Sequence, residues 1–434
     1  MYIEKLVIDH LRCFEHAEVE FCHPGCTVPD TKWPNVNVLL GNNGAGKTTL
    51  LRAAVLAVLA PVLESSSGYV PYRMVRQAGT VDSPGQSSVT ARYALQVWQD
   101  SLPTETALDM KLMKLLAYGQ HVAAELERYE SGVEVLRAYS VDPLLRRLLF
   151  DRQSAIFIVA YGAGRRVEVA DIVDAALRSK SRNYRYQRVA SLFEDHYSLM
   201  PLAAWLPAFR KENPGRHKQV VNLINRVLPP ECELLATPRV SGNDGDEYFF
   251  RLHAVEVPFA ALSDGYRAYI GWIADMLYHL CHGCPKGHKL VEMSGVVLVD
   301  EIDLHLHPEW QRQVLPVLAR ALPRLQFIVS THSPIVAGTV GRGNLYRLDT
   351  GPDGDALVSH PELDIYGMSA DQILLSSYFG LDSTRAEGKL SELEKLSARV
   401  RQGDARAAID YLKALTPAAP KARRARKTEH GGSR

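Results

Sequence analysis

Gly41-Asn-Asn-Gly-Ala-Gly46-Lys47-Thr48-Thr49 has the residue types and spacing of a loop that holds phosphate. Glycines let consecutive backbone N–H groups curl around phosphate oxygens, and the N-terminus of a following helix adds positive potential. The pattern assigns Lys47 to β- and γ-phosphate oxygens and the Thr48 hydroxyl to Mg2+. Asn42, Asn43, Gly44, Ala45, Gly46 and Thr49 complete the candidate nucleotide set. A second element, Val296-Val-Leu-Val-Asp300-Glu301, begins a buried strand and ends it on two acids. Asp300 is the candidate Mg2+ carboxylate. Glu301 is placed to polarise an attacking water, because in-line hydrolysis needs a base opposite the leaving phosphate. Two acids after an apolar strand usually just cap it; coupled to the loop, the pair becomes specific. A third apolar strand ends at Val329 and delivers His332, a polar group that can sense the γ-phosphate. A lone His is ordinarily a satisfied core residue, but this one follows an apolar strand, where doubly wound sheets bind ligands.

These residues need positioning elements. Tyr2–Asp9, Glu18–Cys22 and Val36–Leu40 read as strands, and Leu50–Leu63 as a buried helix. Residues 64–88 are rich in Ser, Gly, Pro and Gln and read as a connection. Val89–Trp98 alternates like a strand. Glu105–Arg152 reads as helical, with Leu112, Leu115 and Leu116, then Leu126, Tyr129 and Val133. Ile156–Tyr161 is a short buried strand. After a weakly patterned stretch, Leu262-Ser-Asp-Gly-Tyr-Arg267 precedes a helix running to about Leu280. Strands Gly295–Val299 and Gln326–Val329 flank a helix over about Pro308–Ala321. Asn344–Asp349 and Ala356–His360 form a hairpin, and Leu390, Leu393, Leu396 and Val400 face Ile409, Leu412 and Leu415 in a helix pair.

With these motifs in order, the chain resembles the ABC-type ATPases of the RecF/SMC branch and their OLD-type (overcoming-lysogenisation-defect) relatives. Leu262–Arg267 is similar to their signature loop. Asp300-Glu-Ile-Asp-Leu-His-Leu-His-Pro-Glu-Trp-Gln311, Ser330-Thr-His-Ser-Pro334 and Ala160-Tyr-Gly-Ala-Gly-Arg165 are similar to the OLD-like bacterial group. The similarity covers roughly 1–60, 155–166 and 255–345, with a looser match over 364–384. It implies ATP and Mg2+, sandwiched between two heads, with Ser263 and Gly265 contacting the γ-phosphate in trans. Ser-Asp-Gly in place of the common Ser-Gly-Gly leaves the Gly265 N–H available. Glu301 becomes the catalytic base, His332 the switch, and Asp303 part of the segment linking the two sites. Arg12 matches an early arginine that reaches ATP phosphates in SMC-like heads, with plain surface charge as the other reading. For the glutamine loop, which adds a Mg2+ ligand, Gln77 is the first choice and Gln153 the second.

Charge and composition bound the partners. The 434 residues carry 50 basic and 49 acidic groups, but six of the basic ones and a single acid lie in 421–434. The remaining body therefore has 44 basic against 48 acidic residues, a net of −4, so broad nucleic-acid binding is not expected. Arg178, Lys180, Arg182, Arg185 and Arg188, interleaved with Tyr184 and Tyr186, form the one run suited to single-stranded nucleic acid or RNA, with a solvated helix face as the commoner meaning. His279, Cys281, His282, Cys284 and His288 have zinc-ligand types without a second Cys pair nearby in sequence, Cys22 and Cys26 being the pair that could approach in space; buried thiols and a His-rich loop are the expectation. Six Cys in so long a chain do not make a disulfide framework, and no apolar run approaches the roughly 18 residues of a membrane span, so a cytoplasmic protein is expected.

The expected fold is α/β: a P-loop ABC-type ATPase head of mixed sheet and helices. Residues 1–63 and 255–349 make the head, 64–254 a mostly helical insertion that includes strands as a mixed lobe, 350–417 a helical extension and 418–434 a disordered basic tail. OLD-type nucleases carry a metal-dependent nuclease domain after the ATPase. Here Asp353-Gly-Asp355 sits in a hairpin turn and no nuclease motif is present, so effector chemistry is expected on another polypeptide. The resemblance implies an ATP-dependent homodimer or higher oligomer controlling a nuclease or toxin in bacterial anti-phage defence. Two alternatives stay open: a RecF-like DNA repair ATPase, and an ATP-binding scaffold with little turnover.

Overall fold

The computed structural model describes residues 1–26, 28–66, 68–77, 84–94, 120–139, 143–150, 156–165, 183–240, 246–285 and 287–415. Contacts divide it into two units, Met1–Ile373 and Leu374–Arg434.

The larger unit is built on two sheets. Strands β1 (Tyr2–Leu11) and β2 (Phe14–Glu20) form a hairpin in a five-stranded antiparallel sheet. Strand β3 (Val36–Gly41) enters the other sheet and is followed by helix α1 (Lys47–Ser66). The chain then returns to the first sheet with β4 (Gly85–Ala94), β5 (Gln120–Arg128) and β6 (Glu134–Tyr139), giving the order β2-β1-β4-β5-β6. α1 lies against the buried face of this sheet, and its Ala, Leu and Val side chains are covered all round, as befits a core helix that is apolar on every side.

The second sheet carries the candidate site residues. After β7 (Ile158–Tyr161) come helices α2 (Leu202–Glu212) and α3 (Pro214–Val227), then a small three-stranded sheet of β8 (Cys232–Leu234), β9 (Phe249–Leu252) and β10 (Val255–Pro258). Helix α4 (Asp264–Gly283) leads to β11 (Gly295–Val299), helix α5 (Val314–Ala321), β12 (Leu325–Ser330), the short helix α6 (Pro334–Ala337) and the hairpin β13 (Leu345–Thr350)–β14 (Ala356–Ser359). The sheet order is β14-β13-β3-β12-β11-β7, parallel except for the edge strand β14. Strands covered on both faces read as unbroken apolar runs, which is why Val296–Val299 and Phe327–Val329 are legible in sequence.

One amide joins the sheets. Gln326, fully buried in β12, accepts from Ile3 N–H (2.8 Å) and donates to the carbonyls of Ile3 (2.7 Å) and Cys22 (2.9 Å). All three bonds satisfy groups that would otherwise be stranded away from water.

Three expectations are corrected. Residues 120–139, read as helix, are strands β5 and β6: Ala124 and Leu126 face the core while Ala123, Glu125 and Glu127 alternate outward, a period of two. Tyr129 and Val133 lie exposed at their turn, and Leu112, Leu115 and Leu116 fall outside the described residues. Among its described residues the insertion therefore mixes strands with helices. The helix expected over Pro308–Ala321 is two pieces, Pro308–Gln311 and α5, because Pro316 has no N–H to donate to the carbonyl of Arg312. The head sheet runs through β14, beyond the expected boundary at 350, because β14 pairs with β13.

In the smaller unit, α7 (Glu387–Arg401) and α8 (Ala405–Leu415) pack as a helix pair. Gly403, at φ +90°, makes the turn. Asp404 caps the second helix by accepting from the N–H groups of Arg406 and Ala407, and Arg399 binds its other oxygen at 2.6 Å. Leu393 and Ala407 are buried, whereas Ile409, Leu412 and Leu415 are exposed. The tail beyond 415 lies outside the described residues.

Candidate nucleotide site

The site lies at the carboxyl ends of β3, β11 and β12, the expected ligand edge of a parallel sheet. Two glycines are required by space. A Cβ on Gly41 would stand 2.4 Å from the Leu348 carbonyl oxygen. One on Gly46 (φ +99°) would meet Cys13 Sγ at 2.7 Å and the Phe14 ring at 2.9 Å. The β1–β2 turn therefore closes directly over the loop. Lys47 opens α1, and its Nζ donates to the carbonyls of Gly41 (2.8 Å) and Asn42 (2.9 Å). Burial lowers the Lys47 pKa, while Asp300, Glu301 and Asp303 act in the opposite direction.

Thr48 Oγ1 donates to Asp300 Oδ2 at 2.6 Å, and the Ser330 hydroxyl donates to Asp300 Oδ1. Parallel pairing of Val299 with Val329 sets Asp300 beside Ser330. A hydroxyl and a carboxylate brought together at the start of a helix are a hard-oxygen donor set, which fits Mg2+.

Glu301 adopts a left-handed conformation, φ +48°, uncommon for a residue with a side chain. Its N–H donates to Ser330 Oγ (2.8 Å), and its carbonyl accepts from Arg165 Nη2 (2.9 Å). Arg165 Nη1 also donates to the carbonyls of Asp300 and, at 3.1 Å, Gly162. Burial pushes Arg165 down to about 10 against the pull of Asp300, Glu301 and Asp303. His332 is half-buried in the same neighbourhood. Its pKa is lowered by burial first and by the Lys47 cation second, with Asp303, Glu301 and Asp300 opposing. Thr331 Oγ1 donates to Asp303, fixing the next turn of the Asp300–Asp303 segment to the His332 strand end.

Lys47, Thr48, Asp300, Glu301, Asp303 and His332 therefore converge. Arg12 lies beside the loop, next to Cys13, with φ +49° and its guanidinium on the carbonyls of Arg73 (3.1 Å) and Tyr72 (3.5 Å). Gln77 is exposed and follows Arg76, which is tied to His10 and Cys13. The side chain that bonds the carboxylate of Asp300 from the strand side is Ser330. Gln153 is outside the described residues. Ser263 is the exposed N-cap of α4, and its side chain caps nothing. Gly265 presses on the segment after Glu301: a Cβ there would stand 2.8 Å from the His305 carbonyl oxygen. Just beyond, Glu231 accepts from both Tyr266 (3.1 Å) and Trp310 (3.0 Å), whose rings meet edge to face at 4.3 Å.

Ser330 and Arg165 were not singled out from sequence. Ser330 owes its role to the parallel register beside Asp300, which the local sequence does not carry. Arg165 sits in a quoted motif, but its carbonyl partners lie 135 and 136 positions away.

The basic-aromatic run is largely structural where described. Arg185 is buried and donates to the carbonyls of Leu149 (2.6 Å) and Leu148 (2.9 Å), capping a helix end. Arg188 is buried over the Phe157 and Tyr184 rings. Both are thereby removed from any nucleic-acid face; Arg178, Lys180 and Arg182 lie outside the described residues. No three-ligand metal cluster occurs among the described residues. Burial pushes the Cys281 thiol up to about 12 and raises Cys284, as for inert core thiols.

The family described as "AAA domain, putative AbiEii toxin, Type IV TA system" matches residues 115–337, just over half of the chain. The chain belongs to this AAA-domain family. A second AAA-domain description matches residues 5–67. Among named relatives, the Retron Ec83 probable ATPase of Escherichia coli is 39% identical over 198 residues, 45% of this chain and 35% of that one. The Septu protein PtuA of Bacillus mycoides (strain KBAB4) is 24% identical over 242 residues, 55% of this chain and 31% of that one. The alignments thus span about a third of each relative's length. Among solved structures, the SMC head bound to the C-winged helix domain of ScpA matches with TM-score 0.46 and 14% identity, over 83% of this chain and 98% of that one.

Proposed function

We propose that this AAA-domain chain binds ATP with Mg2+, closes a head-to-head dimer around it, and hydrolyses it to release a partner effector, a nuclease or toxin, in anti-phage defence. The observation that carries the reading is the Thr48–Asp300 contact beside a Glu301 whose backbone is held from both sides. When bound, Mg2+ supplies neutralisation of β- and γ-phosphate charge. Lys47 and the loop N–H groups hold the phosphates. Glu301 accepts the proton of the attacking water, and His332, kept neutral near pH 7 by burial and Lys47, contacts the γ-phosphate as a hydrogen-bonding group.

The exposed Ser263 side chain and the N–H groups at the start of α4 supply the trans contact, so each site needs the other subunit. The named retron and Septu relatives support the defence setting. The DNA-repair alternative is disfavoured by the burial of Arg185 and Arg188.

Glu301→Gln tests the reading. The variant should retain ATP binding, lose about 100-fold or more of its ATPase rate, and accumulate as an ATP-dependent dimer by light scattering. Unchanged turnover would remove Glu301 from the mechanism, and a monomer at saturating ATP would remove the dimer.

A further inference from the structure

Behind His332 the larger unit forms an open groove of about 740 Å3, walled by α6 and α5 and by the segment around Tyr366. Its charged lining is Lys32, Arg312 and Arg320, with no carboxylate among the lining residues. The chain outside its basic tail is net acidic, so this groove inverts the prevailing sign. Pro334 and Ile335 of α6 give it an apolar wall.

Two of the cations, Lys32 and Arg320, are held over rings. Lys32 Nζ lies 3.5 Å from the Tyr366 ring centroid and also donates to its hydroxyl. The Arg320 guanidinium lies 5.7 Å from the Trp33 centroid, with its Nε on the Pro316 carbonyl at 3.1 Å. Cation–π placement fixes the charges where an anion can meet them. It also covers ring faces on which nucleobases would otherwise stack, so the groove favours compact carboxylates beside an apolar side chain over single-stranded nucleic acid.

The groove shares its frame with the catalytic edge. Ser333, adjacent to His332, caps α6 and donates to Gln311 Oε1 at 2.7 Å, and Gln311 precedes Arg312. A shift at His332 therefore reaches both the α6 wall and the Arg312 cation through one hydrogen bond. We propose that this groove is the docking site for an acidic segment of the effector protein, anchored by an apolar side chain. Its affinity for that segment changes with the nucleotide state. The proposal rests on the effector reading above and gives it a surface.

The probe is a fluorescein-labelled peptide of aspartates around a central pair of leucines, with an asparagine version as control. Binding to the full chain is followed by fluorescence anisotropy, with and without ATP in the Glu301→Gln background. The aspartate peptide should bind in a salt-sensitive way and respond to ATP. The double variant Arg312→Glu/Arg320→Glu, and separately Lys32→Glu, should weaken it about tenfold or more, with melting temperature confirming the fold.

Equal binding of both peptides, or binding untouched by charge reversal, overturns the proposal. So does an affinity indifferent to ATP. Preferential binding of oligothymidylate, lost in the same variants, overturns it in favour of nucleic acid. Loss of self-association in those variants, without peptide binding, overturns it in favour of a second copy. The ATPase assay on Glu301→Gln is read independently, so a failed groove and a failed catalytic reading are distinguishable.

Discussion

Thr48 and Asp300, 252 positions apart, share a hydrogen bond of 2.6 Å that closes one side of the candidate nucleotide site. Asp300 also takes the Ser330 hydroxyl, so its carboxylate is oriented from both α1 and β12. Asp300→Ala should abolish the Mg2+ stimulation of nucleotide binding and lower turnover by on the order of 100-fold. Mg2+ titration of nucleotide binding is the check. If stimulation survives, another group holds the cation.

Arg165 holds the peptide groups of Asp300 and Glu301 from behind, and a lysine can replace its charge but not its forked geometry. Arg165→Lys should lower kcat about tenfold and Arg165→Ala by up to about 100-fold, both with ATP KM little changed, as expected of a residue acting through another. A change confined to KM would place Arg165 in nucleotide binding instead.

Asp275 on α4 is buried with Tyr161, His279 and Arg188 around it. It accepts from Tyr161 (2.8 Å) and the Met200 N–H (2.8 Å), and burial pushes it up to about 6. His279 lies 3.5 Å away, but burial and the Arg188 charge drive it well below its ordinary value, so the two do not form an ion pair. The folded state thus holds the Asp275 proton more tightly than the unfolded chain. The associated stability is present below about pH 4 and is lost as pH rises to about 6, up to about 3 kcal/mol in all. Relative to Asp275→Asn, the wild type should lose that amount between pH 4 and 7. Parallel urea-unfolding curves across the range would contradict this.

Arg128 and Glu134 form a buried ion pair at 2.5 Å where β5 meets β6. Glu134 also accepts from the N–H groups of Met74 (2.7 Å) and Val75 (3.2 Å), pinning that stretch beneath β1. Glu134→Ala leaves a buried guanidinium without its counter-charge, held only by the Val75 carbonyl, and two N–H groups unsatisfied, and should cost about 3–5 kcal/mol. Replacing both partners by apolar residues should cost less. Chemical denaturation of the three proteins decides the order.

The parts of the fold legible in sequence are those where burial is complete. β3, β11 and β12 are covered on both faces and read as apolar runs, and the loop and acids at their ends follow by spacing. Strands with one face toward solvent were harder. In β5 positions 123 and 124 are both alanine, so the alternation that puts Ala124 inward and Ala123 outward leaves no trace there. The site residues missed share another property. Arg165 and Ser330 act on backbone groups or on the carboxylate of a residue distant in sequence, so their role depends on strand order, which local pattern does not encode.

Gln326 ties the start of β1 and Cys22, just after β2, to the strand that ends at Ser330, using three hydrogen bonds in a dry interior. The two sheets are riveted there and cannot slide past one another without breaking bonds that water cannot replace. A pull on the His332 end of β12 is therefore passed as shear into the hairpin whose turn covers Gly46. On the proposed ATP cycle the larger unit would act as a stiff lever, with displacement delivered at its outer surfaces and little of it absorbed within.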